Sequence, residues 1–438
     1  MLRLNRTHDA TARSWLASAN DAATDFPLQN LPHGVFRNVG HENARGGLAI
    51  GDSVLDLRAL IQSELLYGEA LMYAEKAALP ALNDFLALGH IAASTLRSAI
   101  FDLLRDNAPA DLQERVRTCL IPMADIKLLL PVRVGGFTDF FTSEHHATRA
   151  GRISRPENPL PQAFLQMPMA YNGRASSIRT SGTPLKRPKG IFVKDGEYVY
   201  EPSLCLDYEL EVGFFVGQGN ALGETLSLDE AEQRISGCCL VNDWSTRDIQ
   251  RAEIFPLGPF LGKSTLTSIS PWIVTAEALL PFRTQAAAPG RYPAHLSSKR
   301  NDSSGALDLT LTALMTTKKS RAEKHKPAVL TSTNLLNCHW TLAQMLAHHA
   351  SNGCAIEPGD LMASGTTSGP EQHSAACLYE LCIDPQRQVL RAISLPNGES
   401  RMWLEDGDEI ILRARAQREG FVSIGFGECV GRVEPCAE

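Results

Sequence analysis

The alternation of apolar and charged side chains is sharpest in residues 204–217, LCLDYELEVGFFVG. A β-strand sends successive side chains to opposite faces. Read as a strand, Leu204, Leu206, Tyr208, Leu210, Val212 and Phe214 share a dry core face. Asp207, Glu209 and Glu211 share the other. Carboxylates two residues apart repel one another, so water or a hard divalent cation must offset them. The strand alone leaves both open, because a solvated acidic face needs no explanation.

Other stretches predict other elements. Residues 27–60 read as short strands and turns, with Gly46–Gly47 and Gly51–Asp52 as candidate hairpin turns and Leu48, Ile50, Val54 and Leu57 buried. Residues 65–119 read as helices: Leu96, Ile100 and Leu103 fall on one face, and Asn107, Ala108 and Pro109 stop it. From residue 131 onward, short strands and loops bearing Gly and Pro dominate. Ser227 to Glu230 is a capping box with Gly237 as its stop, and a second helix is expected over 338–349. Residues 281–305 are polar and aperiodic and read as a surface loop. The last 30 residues alternate as closing strands. The organisation expected is a loose leader over 1–25, a smaller β unit with helices over 26–130, and a larger β-rich domain over 131–438.

Composition excludes more than it identifies. The 438 residues are 44% hydrophobic and 21% charged, an ordinary globular balance. A net charge of −7 argues against a nucleic-acid partner. No apolar run is long enough to span a membrane. The leader has arginines but no secretory core, and Asp9 counts against a mitochondrial presequence. Ten cysteines without a CxxC pair suit a reducing, cytoplasmic location.

Four glycine-bracketed stretches hold clustered polar residues: Asp139, His145, His146 and Arg155; Tyr171 and Arg174; Asp243, Arg247, Gln250, Lys263 and Thr267; and Thr366 with Glu380 beyond it. Singly, each suits turn capping or a solvated charge. Together, Asp139, Glu209, Glu211 and Asp243 could form an all-oxygen cage for Ca²⁺ or Mg²⁺. A histidine oriented by Glu380 could act as a base, and Arg247, Gln250 and Lys263 could stabilise developing negative charge. Such a set suits cleavage of a polarised carbonyl compound.

The runs DFPLQNLPHGVF, TDFFTSEHHAT, YNGRASSIRTSGTP, DYELEVGFFVG, NDWSTRDIQ, PLGPFLGKS, NGCAIEPGDLMASGTTSGPE and DGDEIIL resemble the fumarylacetoacetase family in order and spacing. The resemblance covers all but the leader. It implies a mainly β, α+β fold: an N-terminal SH3-like barrel with helices, then a C-terminal mixed β-roll or sandwich. It implies a homodimer joined through the C-terminal domains, and hydrolysis of a carbon–carbon bond in a 1,3-diketo acid. By resemblance His146 matches the general base and Glu380 its orienting carboxylate. Asp139, Glu209, Glu211 and Asp243 match calcium ligands, and Lys263 and Thr267 match a magnesium site sharing Asp243. Arg247, Gln250 and Lys263 match groups near the oxyanion. Substrate contacts match Phe141, Arg155, Tyr171, Gln250, Ile254 and Thr366.

Three departures accompany the match. Phe141 and Ile254 stand where the family has tyrosines, and Asn172 where it has a histidine. Two phenol hydroxyls are thereby absent from the substrate positions, which bears on selectivity. An acylpyruvase, a keto-acid decarboxylase or isomerase of the same fold, and an inactive metal-binding β protein are the competing readings.

Overall fold

The N-terminal strands are held together by close backbone approach. In the computed structural model, which describes residues 2–437, β1 (His33–Asn38), β2 (Arg45–Ile50), β3 (Ser53–Asp56), β4 (Leu120–Pro122) and β5 (Ile126–Leu129) form one sheet in the order β4-β3-β2-β1-β5. Gly51 makes the β2–β3 turn at φ +56°. Gly46 instead lies within β2, where an added Cβ would sit 1.7 Å from the carbonyl oxygen of Ala77, the last residue of helix α1 (Gly68–Ala77). Gly46 and Gly47 therefore serve strand packing rather than the turn expected of them. The expected barrel does not close. Edge strands β4 and β5 are joined by a single 3₁₀ turn, Met123–Asp125, yet share no ladder among the described residues. Pro122 ends β4 without an N–H donor to extend pairing.

Helix α2 (Gly89–Leu104) buries Leu96, Ile100 and Leu103, the face its periodicity marks. It packs on the larger domain, whose main sheet has eight strands. Its principal path runs β7 (Met169–Asn172), β6 (Phe137–Phe141), β16 (Leu361–Ala363), β11 (Leu210–Val216), β12 (Ile235–Asp243), β13 (Thr267–Ile269) and β8 (Ile178–Thr180). A second sheet of five strands contains β15 (Ala328–Asn334), β14 (Thr310–Thr316), β17 (Glu409–Ala416) and β18 (Ile424–Glu434), with Leu185–Lys186 at its edge. Val212, Phe214 and Leu240 share one core with Leu311, Ala313, Leu412 and Ala414 of this second sheet. On the other side Phe215, Val241 and Ile269 pack with Leu96, Ile100 and Leu104. Strand β11 is thus covered on both faces.

The alternation over 204–217 holds with two changes. The strand is interrupted at Tyr208 and Glu209, and Leu204 is 55% exposed instead of buried. The capping box of Ser227 and Glu230 starts α4 (Leu228–Arg234), but Gly237 lies inside β12, where a Cβ would meet the Val274 carbonyl at 2.5 Å. Residues 281–305 are anchored: Leu296 is fully buried, and Asn301, in helix α6 (Lys299–Ser304), accepts from the Thr341 hydroxyl at 2.7 Å.

The leader is not loose. Thr7, His8 and Ser14 are buried. Buried Arg97 of α2 donates to the Thr7 hydroxyl (3.0 Å) and to the carbonyls of Gln29 and Asn30. Asn5 reaches the other domain through Glu277 at 2.6 Å. A buried guanidinium that satisfies carbonyls cannot be lost without leaving them unpaired. Replacing Arg97 by Met should lower the unfolding free energy by about 3 kcal/mol, read by urea denaturation.

Candidate active site

Three strands and a strand break bring the carboxylates together. Asp139 comes from β6, Glu211 from β11 and Asp243 from the end of β12; Glu209 sits in the break just before β11. One carboxylate oxygen from each of the four lies within 4.8 Å of the other three, and all four residues are buried. Asp139 Oδ1 and both oxygens of Glu211 are buried with no hydrogen-bond partner. Burial, then the neighbouring carboxylates, pushes the Asp139 and Glu211 carboxyls well above their ordinary range. An all-oxygen donor set with unpartnered buried oxygens fits a hard divalent cation.

Two cations offset part of the charge. Lys263 Nζ lies 2.5 Å from Glu209 Oε2 and 2.6 Å from Asp243 Oδ2. Burial disfavours its charge, but those two carboxylates overcome this and raise its pKa, so it stays protonated. Arg247 opens α5 (Arg247–Leu257) and holds Asp207 Oδ2 at 2.8 and 2.9 Å and Glu209 Oε1 at 2.7 Å. It also donates to Gln250 Oε1 at 3.3 Å, one turn along the helix. Glu253, on the same helix, accepts from the backbone N–H groups of Phe260, Leu261 and Gly262. That fold-back sets Lys263.

His146 lies in the first turn of α3 (Glu144–Ser154), whose N-cap Ser143 accepts from the His146 backbone N–H. Its Nδ1 is 2.7 Å from Glu380 Oε2, on α8 (Leu378–Leu381). Glu380 is fully buried. Burial alone would raise its pKa; the His146 charge and hydrogen bond, then Ser368 and Arg149, hold it at about 2. Phe141 meets the His146 ring edge-on at 5.4 Å and the Phe164 ring at 5.9 Å. His145, the neighbouring histidine, has no such carboxylate partner among the described hydrogen bonds.

The remaining candidates divide. Tyr171 donates to Asp243 Oδ2 at 2.8 Å, and Thr267 Oγ1 is 3.4 Å from Asp243 Oδ1. Thr366 is buried in the loop after β16. Ile254 is 46% exposed. Arg155, at the end of α3, is exposed and donates to the Pro159 carbonyl at 3.3 Å, apart from the cluster. Asn172 pairs in register with Thr138, and Asp139 with Tyr171, so Asn172 lies on the opposite face of the sheet from the carboxylates. Arg149, Ser368 and Glu253 were not expected. Arg149 sits three residues after His146 on one helix, a readable spacing, but its partner Glu380 is 231 residues away.

Four buried carboxylates that could hold a cation, beside a buried histidine–glutamate pair, bring together the parts that a hydrolytic type of enzyme site requires. Residues 137–434 match the model of the fumarylacetoacetate (FAA) hydrolase C-terminal family, and residues 29–131 that of the fumarylacetoacetase N-terminal family. The chain is 42% identical to the fumarylacetoacetase of Oryza sativa subsp. japonica over 97% of its own length and 98% of the relative's. It is 40% identical to the Homo sapiens fumarylacetoacetase, covering 96% and 99%. Among solved structures, the fumarylacetoacetate hydrolase of Exiguobacterium antarcticum superposes with a TM-score of 0.51 at 16% identity, covering 92% of this chain and 99% of that one, a likeness of fold. The chain belongs to the fumarylacetoacetate hydrolase family.

A carboxyl whose pKa is raised on folding makes the fold less stable as pH climbs through that pKa. Without added cation, Glu211→Gln should therefore be more stable than wild type by about 1–4 kcal/mol near neutrality, with the gap closing toward acid. Calcium should raise the wild-type melting temperature and leave that of E211Q nearly unmoved, as scanning calorimetry would read.

Proposed function

We propose that the protein hydrolyses 4-fumarylacetoacetate to fumarate and acetoacetate, the last step of tyrosine and phenylalanine degradation. The observation that carries this reading is the His146–Glu380 pair, 2.7 Å apart and buried, set beside the unpartnered oxygens of Asp139 and Glu211. The near-full-length identity to fumarylacetoacetases favours it over a decarboxylase, an isomerase or an inactive protein.

In this mechanism Glu380 holds the Nδ1–H of neutral His146, which leaves Nε2 as the base. His146 takes a proton from water, and the water oxygen bonds to the carbonyl carbon next to the fumaryl arm. The alkoxide formed collapses, the carbon–carbon bond breaks, and the electron pair leaves on the acetoacetate fragment as an enolate. The His146 imidazolium returns the proton to that carbon. Lys263 has three N–H donors, two of them used by Glu209 and Asp243, so one is left for developing negative charge. Arg247 and Gln250 are assigned to the same task. A divalent cation held by Asp139, Glu209, Glu211 and Asp243, calcium in this reading, supplies Lewis-acid polarisation of the diketone. Magnesium is assigned to the neighbourhood of Asp243, Lys263 and Thr267.

Substrate contacts are assigned to Phe141, Tyr171, Gln250, Ile254 and Thr366, with Arg155 reached only if its guanidinium leaves the Pro159 carbonyl. Phe141 packs against the base where a tyrosine would offer a hydroxyl, so the apolar contact holds the imidazole instead. A cytoplasmic location is supported by ten free cysteines, and no helix among the described residues is long and apolar enough to cross a membrane.

A homodimer through the C-terminal domain is part of the proposal. Strands β9 (Lys189–Lys194) and β10 (Glu197–Pro202) form a hairpin packed on α5, where Ile249 lies against Gly190, and Phe192 is buried. Its outer face pairs Ile191 with Tyr200 and Val193 with Tyr198, between 52% and 72% exposed. Four large apolar residues in register on one face are an association surface, and α5, beneath them, carries Arg247 and Gln250.

Loss of diketone absorbance should be fast with calcium and magnesium present and abolished by a chelator. His146→Ala should lower kcat by about 10²–10⁴-fold; a folded, metal-loaded wild type that leaves fumarylacetoacetate intact would overturn the substrate assignment. Sedimentation should give a dimer for wild type and a monomer for the Ile191→Glu, Val193→Glu double variant.

A further inference from the structure

The base and its carboxylate are tied to a cation that the reaction itself does not use. Helix α3 puts Arg149 one turn after His146, and both side chains reach Glu380. Glu380 Oε2 accepts from His146 Nδ1 (2.7 Å), the Ser368 hydroxyl (2.6 Å) and the Cys377 thiol (3.3 Å). Arg149 Nη1 takes Oε1 at 3.2 Å. The other end of the guanidinium, Nη2, donates to three successive carbonyls: Gly369 at 2.8 Å, Pro370 at 2.6 Å and Glu371 at 3.0 Å. Those carbonyls follow directly on Thr366 and Ser368 in the same loop.

We propose that Arg149 is a positioning residue for the reaction: anchored on the carbonyls of Gly369, Pro370 and Glu371, it fixes the orientation of Glu380, and through it His146. This rests on the reading of His146 and Glu380 as the base and its orienting group.

The physical need is specific. Glu380 is fully buried, and a buried carboxylate whose only charged partner is a histidine is uncompensated whenever that histidine is neutral. The resting base must be neutral to accept a proton. Arg149 keeps its charge throughout, so Glu380 keeps a cation in both protonation states. Its Nη1 holds Oε1 while Nη2 is anchored on the loop carbonyls, which leaves Oε2 trained on Nδ1. Without it Oε1 loses its ion pair, the carboxylate is held only through the bonds to Oε2, and the imidazole is less firmly directed. The effect falls on the chemical step, since Arg149 contacts none of the residues assigned to hold substrate.

The test uses the metal-loaded enzyme with fumarylacetoacetate and four variants: Arg149→Met, Arg149→Lys, Glu380→Gln and the R149M/E380Q pair. R149M should lower kcat by about 10–100-fold with KM within about twofold of wild type. R149K, which restores the charge but not the fork, should recover part of that loss. The double variant should be no slower than E380Q alone, because Arg149 acts through Glu380. Should R149M not fold, Arg149→Gln carries the same comparison. A kcat within about twofold of wild type in folded R149M, or a double variant slower than E380Q by the full R149M factor, overturns the proposal. An E380Q enzyme of wild-type kcat overturns instead the base assignment on which it rests.

Discussion

The structure depends on keeping negative charge in a dry place. Asp139, Asp207, Glu209, Glu211 and Asp243 are all buried, and the cations bonded to them are Lys263 and Arg247. Five carboxylates against two cations leave a formal charge of −3 when all are ionised, which a divalent cation reduces to −1. Each uncompensated buried ion costs several kcal/mol, so the fold must recover that cost elsewhere. It does so by burying β11 on both faces, under the N-terminal helices on one side and the five-stranded sheet on the other. The N-terminal domain needs no chemistry of its own for this role. Its helices cover, further along the strands, the same face of the sheet that carries Asp139, Glu211 and Asp243, where Phe137, Phe215 and Val241 pack with Leu96 and Ile100.

The parts of the site rest on supports of different stiffness. The cage stands on β6, β11 and β12, strands held by ladders on both sides. Distances between carboxylates are therefore set by sheet geometry, which suits a cation that discriminates by cavity size and ligand number. The base and its partner come from a helix start and a one-turn helix, and they depend on side-chain hydrogen bonds for their geometry. The cationic clamp comes from α5 and the fold-back pinned by Glu253. In the proposed mechanism, a rigid cage with a base positioned by side-chain bonds would let the proton carrier change charge without disturbing the carboxylates that would hold the metal.

Much of this was legible along the chain. Two-residue spacing placed Glu209 and Glu211 on one face and the apolar set on the other, because strand alternation is a local property. The helical face of α2 followed from its period for the same reason, while α7 (Leu342–His349) starts four residues later than expected and is buried throughout Leu342–Ala347. Local rules failed where a distant atom decided. Gly237 has the look of a helix stop, but the Val274 backbone approaching it requires a glycine inside a strand. The leader's polar composition concealed that Arg97 and Glu277 would anchor it. The polar text of residues 281–305 concealed Leu296 and Asn301, whose partners Gln344 and Thr341 lie at the start of α7.

The sequence by itself determined the alternation, the helix faces, the stock of acids and bases, and, through its resemblance, the kinship. These depend on residue identity and on neighbours a few positions away. Tertiary structure alone decided which acids would be orphaned, which cations would meet them, and that one arginine would bind both the base's carboxylate and a loop more than 200 residues downstream. Those are properties of space from which water has been excluded. Only the completed packing of two sheets and a helical layer excludes it.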